Sequence, residues 1–254
     1  MSLLEVVAII LAGLAAGTIN TIVGSGTLVT FPTLLFFGYP PVSANISNSL
    51  GLVPGGITGA WGYRHELKAL GPMLKRLAPA SFLGSILGAL LLLWLPPEAF
   101  EAIVPALIAL ALLLVVFGPR LSRWATKHHA DYITPARWGA LMVGILVAGM
   151  YGGYFGAAQG VLLLGLMSIL LPLGIQQING IKNVLGLIVN FVAAMTFVIV
   201  DPGTVNWTIV LLVSTGSLLG GVIGAKIGRS MPPWLLRAFI VLIGTVAIVY
   251  LLVF

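Results

Sequence analysis

Residues 6–63, VVAIILAGLAAGTINTIVGSGTLVTFPTLLFFGYPPVSANISNSLGLVPGGITGAWGY, contain no charged side chain. One helical crossing of a bilayer takes about 20 mostly apolar residues, because the hydrocarbon core is ~30 Å thick. This stretch of 58 residues is long enough for several such crossings. It therefore predicts an all-α polytopic membrane protein.

The rest of the chain has the same character. Of its 254 residues, 59% are hydrophobic and 7% are charged, whereas soluble domains carry about 25% charged residues. Such a chain cannot cover a water-facing surface with polar groups, so we expect a lipid bilayer around it. The chain has no cysteine, which excludes thiolate metal sites. We expect neither a metal nor a cofactor. Residues 1–17 are apolar, but they carry Glu5 where a signal peptide would have basic residues. We therefore expect them to form the first helix and not a cleaved signal peptide.

Basic residues cluster at the ends of apolar segments. The net charge is +6, and eleven of the twelve Lys and Arg residues fall in three ranges, 64–76, 120–137 and 226–237. This pattern is typical of cytoplasmic loops, and we expect no nucleic acid partner. We predict a multi-pass protein of the cell inner membrane with both termini external. Aromatic residues at segment ends, among them Trp61 and Tyr63, are expected at the membrane interfaces.

Apolar runs and Pro/Gly punctuation divide the chain into ten helical segments. Their approximate ranges are 3–23, 25–37, 43–62, 78–95, 100–117, 138–157, 160–173, 178–200, 205–226 and 234–254. Segments 25–37 and 160–173 are too short for a full crossing, and each follows a glycine-rich break. We expect them to be short broken or re-entrant helices.

The segments form two similar halves, a first repeat over residues 1–117 and a second over 138–254, joined by a basic cytoplasmic linker over 118–137. Residues 17–24 and 149–156 each begin and end with glycine, and Asn48 and Asn183 follow at matching positions. The loop after the third segment is basic in the first half and lacks basic residues in the second. The two repeats are therefore predicted to be inverted. Inverted repeats with interrupted helices are typical of secondary carriers, whose substrate site lies near the bilayer midplane.

Several segments resemble one family. They are AGTINTIVGSGT at 16–27, Phe31-Pro32, GYPPVSA at 38–44, YGGYFGAAQG at 151–160 and GIKNV at 180–184. Together they are similar to the sulfite exporter family TauE/SafE over nearly the whole chain. The resemblance implies an inner-membrane permease for a sulfur oxyanion of the sulfite or thiosulfate class, or for an organosulfonate.

Candidate substrate-binding residues lie first at the two breaks. A break before a helix exposes backbone N–H groups and the positive end of the helix dipole, and glycine lets an anion approach the backbone. The candidates there are Gly24, Ser25, Gly26, Gly156, Gln159 and Gly160. The alternative is that these glycines only let helices pack closely.

Lys182 is the only basic residue outside the three clusters and within an apolar segment. A buried cation is expensive unless it meets an anion, a carboxylate or water. No intramembrane carboxylate is visible, which favours a bound anion, although the side chain could instead snorkel to the interface. Asn183 and Asn48, with Ser47 matching Lys182, predict a pocket shared by both halves, unless the asparagines only join helices. Secondary candidates are Asn20, Asn45, Asn179 and Asn190.

The predicted function is a secondary transporter that exports a small anion. Export gains about 2.3 kcal/mol per charge per 100 mV in a negative-inside cell and needs no coupling ion. A passive anion channel is an alternative, because it would share the same positive site. A membrane-embedded enzyme is disfavoured, since the sequence has no HExxH motif and no evident base near Ser25. The sequence leaves the oligomeric state open.

Overall fold

The computed structural model describes residues 1–127, 133–228 and 233–253. In these ranges the chain forms eleven α-helices, one 3-10 turn and no strand. The helices are α1 (Leu3–Ile22), α2 (Thr27–Phe36), α3 (Pro41–Gly51), α4 (Val53–Gly62), α5 (Gly71–Trp94), α6 (Pro97–Lys127), α7 (Pro135–Tyr154), α8 (Gln159–Leu170), α9 (Ile175–Val200), α10 (Trp207–Ile227) and α11 (Pro233–Val253). The predicted all-α class is confirmed.

Five of these helices are long and apolar enough to cross a membrane, namely α1, α5, α6 as far as Gly118, α9 and α10. Large apolar side chains on the outside of the bundle remain exposed, including Leu3 at 81%, Ile199 at 77% and Trp94 at 75%. In water such side chains would be a liability, whereas in a bilayer they contact lipid. The structure thus fits a multi-pass membrane protein.

The two short segments are the returning arms of hairpins. α2 has only ten residues, and it leads back to the beginning of α1, where the Tyr39 hydroxyl donates to the Glu5 carboxylate over 2.5 Å. Burial and this carboxylate raise the pKa of Tyr39 to about 12, so the hydroxyl keeps its proton. α8 likewise turns back along α7, as the contact between Leu166 and Gly144 shows. The predicted short helices are confirmed, and each folds back along the helix before it.

The tips of the two hairpins meet in the interior. Gly24 and Gly156 have φ values of 89° and 78°, in the left-handed region that favours glycine. The Gly160 N–H donates to the Gly24 carbonyl over 3.0 Å, and a Cβ on either glycine would overlap the other backbone. Beside this crossing the rings of Phe31 and Phe155 pack edge to face at 5.2 Å. The tips are therefore held in direct backbone contact.

Three segment boundaries differ from the prediction by more than a few residues. The segment expected at 43–62 is broken at Leu52 into α3 and α4, because Pro54 removes a backbone donor from the ladder. At this break the Ser217 hydroxyl donates to the Gly51 carbonyl over 2.6 Å. α5 begins at Gly71 instead of residue 78. α6 continues to Lys127, so part of the predicted linker is helical, and residues 128–132 lie outside the described residues.

Glycine-lined contacts join the two halves. α1 packs against α10 and α5 packs against α7, so the first helix of each half meets the fourth predicted segment of the other. A Cβ on Gly17 would strike the backbone at Ser217, and one on Gly153 would strike the backbone at Ser85. Such small residues let helix backbones approach closely in a membrane, where dispersion replaces the hydrophobic effect as the driving force.

Candidate functional site

A small cavity lies where the two hairpin tips meet α4 and α9. Its volume is about 30 Å³, which is space for a few waters or one small ion. Along α9 the lining extends from Lys182 to Asn190, about 10 to 22 Å from the first residue of that helix at 1.5 Å per residue. The remaining lining residues are Asn20, Thr21, Gly24, Thr27, Gly55, Gly56, Gly59, Gly156, Gln159, Gly160, Asn183, Gly186 and Leu187.

Lys182 supplies the charge in this cavity. Its side chain is only 2% exposed, so it does not snorkel to the surface. The ammonium donates to the carbonyl oxygens of Asn20 at 3.2 Å and Thr21 at 3.0 Å. These carbonyls belong to the last turn of α1, whose C-terminal end carries a partial negative charge. The lysine therefore closes the end of α1 and keeps a third N–H that these two bonds do not use.

Amide groups surround the lysine. Asn183 donates to the Thr21 carbonyl over 3.2 Å, next to the bond from Lys182. Gln159 is 5% exposed, and its Nε2 has no hydrogen-bond partner among the described residues. A buried amide donor without a partner loses about 1–3 kcal/mol. It is thus a group that an acceptor in the cavity would satisfy.

Helix ends add to the positive character of the cavity. α2 begins at Thr27 and α8 begins at Gln159, and both residues line the cavity. The N-terminal end of a helix carries about half a positive charge. The N–H of Gly160 is already bonded to Gly24, so α8 contributes mainly its dipole. In the described part of these helices no acidic side chain lines the cavity.

The structure brings together six of the ten residues predicted to bind substrate. Gly24, Gly156, Gln159, Gly160, Lys182 and Asn183 all line the cavity.

The other four predicted residues lie nearby without lining the cavity. Ser25 is fully buried, and its hydroxyl has no partner among the described residues, while Gly26 packs against Ala16. Ser47 accepts a hydrogen bond from the N–H of Asn206. Asn48 bonds the hydroxyls of Thr30 and Thr27, so it reaches the cavity only through Thr27. The pocket is consequently less symmetric than predicted, because the second half contributes the charge and most of the amides.

Sequence reasoning did not single out the wall formed by α4. Gly55, Gly56 and Gly59 line the cavity on that side, and Gly59 lies against the Thr21 hydroxyl. The small-xxx-small spacing of Gly55 and Gly59 is the feature of the sequence that could have indicated a close helix contact here. Tyr63, expected at the membrane interface, is fully buried and accepts a hydrogen bond from Asn179 at 2.8 Å.

The sequence matches a family model over residues 9–251, described as sulfite exporter TauE/SafE. This match covers almost the entire chain. The chain belongs to the sulfite exporter TauE/SafE family. It is therefore a membrane transporter, as the predicted resemblance implied.

Relatives in the TauE/SafE family are described only as transporters. A probable membrane transporter protein of Haemophilus influenzae is 27% identical, over 91% of this chain and 88% of its own length. The probable membrane transporter protein ORF9 of Sinorhizobium is 28% identical, over 95% of this chain and 90% of its own length. The probable membrane transporter protein YfcA of Escherichia coli K12 is 27% identical over 91% of this chain. No solved structure matches the chain.

Proposed function

We propose that this TauE/SafE protein is a secondary carrier that exports a small sulfur oxyanion across the cell inner membrane. The observation that carries the proposal is the buried Lys182 ammonium in a cavity that it shares with the unpartnered Gln159 amide. A cation and hydrogen-bond donors are what an oxyanion needs when it leaves water. The acid-free lining of the described cavity argues against a cationic substrate.

The size of the cavity supports an inorganic anion over a larger organosulfonate. At about 30 Å³ it has the space of about two water molecules, which is closer to the size of a small inorganic oxyanion than to that of a molecule with an organic chain. The family description, which names sulfite, points to the same chemical class. We therefore rank sulfite and thiosulfate ahead of sulfonates as substrates.

The two hairpins support a carrier over a passive channel. A conducting pore needs a continuous path with several weak sites. Here the backbones of Gly24 and Gly160 touch across the interior, and the cavity beside them is small, at about 30 Å³. A single small site beside this contact suits transport by alternating access, with one hairpin tip moving against the other.

The packing pattern supports the inverted repeat and the predicted orientation. α1 and α10 lie parallel, since Gly13 meets Val213 and Gly224 meets Thr18 along the pair. If the basic loops lie inside, both helices begin outside, and this supports the proposal that both termini are external. An exported anion gains about 2.3 kcal/mol per charge per 100 mV of negative-inside potential.

The function is tested with purified protein in proteoliposomes. Flux of sulfite, thiosulfate, sulfate, a small sulfonate and chloride is measured under an imposed membrane potential. Saturable flux of sulfite or thiosulfate, driven by the potential, is the expected result. Flux that rises linearly with concentration would indicate a channel, and a chemically changed product would indicate an enzyme. No flux for any of the five anions would reject the proposed substrate class.

A further inference from the structure

We propose that Lys182 binds a proton together with the transported anion and gives it up when the anion leaves, so that the carrier couples the anion to one proton. This inference rests on the proposed function, because it concerns the same cavity. It adds a coupling ion. The sequence offered no candidate for one, because the acidic residues lie at the ends of the predicted segments and the histidines lie in predicted loops.

Among the described residues, only backbone carbonyls compensate the Lys182 charge. The ammonium lies 3.0 Å from the Thr21 oxygen and 3.2 Å from the Asn20 oxygen. These oxygens form the C-terminal end of α1, which offers about half a negative charge. About half of the lysine charge therefore stays uncompensated in a site that is 2% exposed.

No described ionisable group on the neighbouring helices supplies the missing negative charge. α9 packs against α1, α3, α4, α5, α7, α8 and the 3-10 turn at 202–204. Among the described residues, the titratable or charged groups on these elements and at their ends are Glu5, Tyr63, Lys75, Arg76, Arg137, Tyr151, Tyr154 and Asp201. The loop 63–70, which contacts α9 at Asn179 and Gly180, adds Arg64, His65, Glu66 and Lys68. The lysines and arginines are positive, and the tyrosines are neutral acids.

Among the described residues the ammonium bonds only the Asn20 and Thr21 carbonyls, so none of the carboxylates forms an ion pair with it, and Glu5 and Asp201 are remote from it. Glu5 lies fifteen residues before Asn20 on α1, or about 22 Å at 1.5 Å per residue. Asp201 lies nineteen residues after Lys182 at the other end of α9, or about 28 Å away by the same rise. Neither can act as the counter-ion of the ammonium.

Protonation and anion binding must then favour each other. Without an anion, loss of the proton from Lys182 removes the uncompensated charge. The neutral amine can still accept or donate hydrogen bonds. With an anion in the cavity, the ammonium gains a direct counter-ion. By linkage, the factor by which the proton strengthens anion binding equals the factor by which the anion strengthens proton binding. Lysine suits this role because arginine does not release its proton in proteins.

The proton balance of the cycle is simple. On binding, a proton from solution forms a bond with the free electron pair of Nζ, and on release the same bond breaks and the proton returns to solution. A doubly charged oxyanion that moves with one proton carries a net single negative charge. Its export still gains about 2.3 kcal/mol per 100 mV, while a pH gradient that is acidic outside opposes it.

Proton uptake on anion binding tests the inference. Purified full-length protein in a weakly buffered solution is titrated with thiosulfate, which is already fully ionised near neutral pH and brings no proton. We expect proton uptake that approaches one per bound anion as the pH rises. Above the pH at which the free lysine loses its proton, anion affinity should fall by about tenfold per pH unit.

Two variants make the test specific. Lys182→Arg keeps the charge but cannot exchange its proton, so its anion affinity should be independent of pH and accompanied by no proton uptake. Asn183→Ala removes a neighbouring amide, so it should bind more weakly yet still take up a proton. The Asn183→Ala result keeps the test decisive if the arginine variant does not fold.

The possible failures are distinguishable. If the wild-type protein binds thiosulfate without proton uptake and with a flat pH profile, the coupling is wrong and the carrier function stands. Proton uptake that persists in Lys182→Arg would assign the proton to another group and overturn the inference. If the wild-type protein binds none of the tested anions, the proposed function itself fails.

Discussion

The contact between the two hairpin tips makes a quantitative prediction for Gly24→Ala. Gly24 has φ 89°, and an alanine there takes on a left-handed conformation that costs about 1–2 kcal/mol. Its Cβ would also overlap the Gly160 backbone, which separates the tips and weakens a hydrogen bond worth about 0.5–1.5 kcal/mol. Together with the cost of the overlap itself, these effects give an expected total destabilisation of about 2–4 kcal/mol, with loss of transport.

Two glycines of this chain provide matched controls. Gly38 has a similar φ of 81° but nothing within 4 Å of an added Cβ, so Gly38→Ala isolates the backbone strain. Gly139 lies within α7, and an added Cβ there also meets nothing within 4 Å. Gly139→Ala should be neutral or should stabilise the helix by up to about 1 kcal/mol.

The assay is thermal unfolding of the three variants in the same detergent, combined with anion flux in proteoliposomes. For a chain of this size, 2–4 kcal/mol corresponds to a melting temperature lower by roughly 5–15 °C. The expected order of stability is Gly139→Ala, then Gly38→Ala, then Gly24→Ala. If Gly24→Ala is as stable as Gly38→Ala and transports normally, the tip contact does not have the role we assign to it.

Three further predictions concern the cavity. Lys182→Met should abolish anion binding, measured by calorimetry. The protein should stay folded, because removing a poorly compensated charge offsets the two lost hydrogen bonds. Wild-type affinity in this variant would exclude Lys182 from the site. Gln159→Glu places a carboxylate in the lining and should weaken anion binding by about tenfold or more; unchanged affinity would show that the anion does not approach this side chain. Asn183→Ala and Asn48→Ala should both weaken anion binding. Asn48→Ala should do so mainly by lowering the stability of the protein, since the partners of Asn48 are Thr30 and Thr27. Equal losses of affinity without loss of stability would instead support a pocket to which both halves contribute equally.

Local features of the sequence sufficed to predict most of the fold. Long apolar runs identify membrane helices because a segment surrounded by lipid must form all of its backbone hydrogen bonds within itself. Glycine-rich breaks at 24–26 and 156–160 were visible because few other residues tolerate the backbone angles found there. The break at Leu52 was missed, although Pro54 signals it, because the apolar run continues without interruption across it.

The composition of the cavity could be predicted only in part because its contacts are distant in sequence. Lys182 and its acceptor Thr21 are 161 residues apart, and no local pattern indicates that α9 meets the end of α1. The lone intramembrane lysine was conspicuous for its energetic cost alone. The glycines of α4 have no such cost, so their place in the cavity wall became apparent only in the folded chain.

The break after α1 links the fold to the chemistry of the site. A helix that continued past Ile22 would bond its own carbonyls at Asn20 and Thr21, and Lys182 would have no acceptor there. The chain instead turns at Gly24, so the same loop exposes a negative helix end to hold the lysine and a positive helix end, at Thr27, to face the anion. A hairpin movement that displaced this tip would weaken both interactions at once. Binding of the anion, protonation of the lysine and the position of the tip are consequently expected to change together.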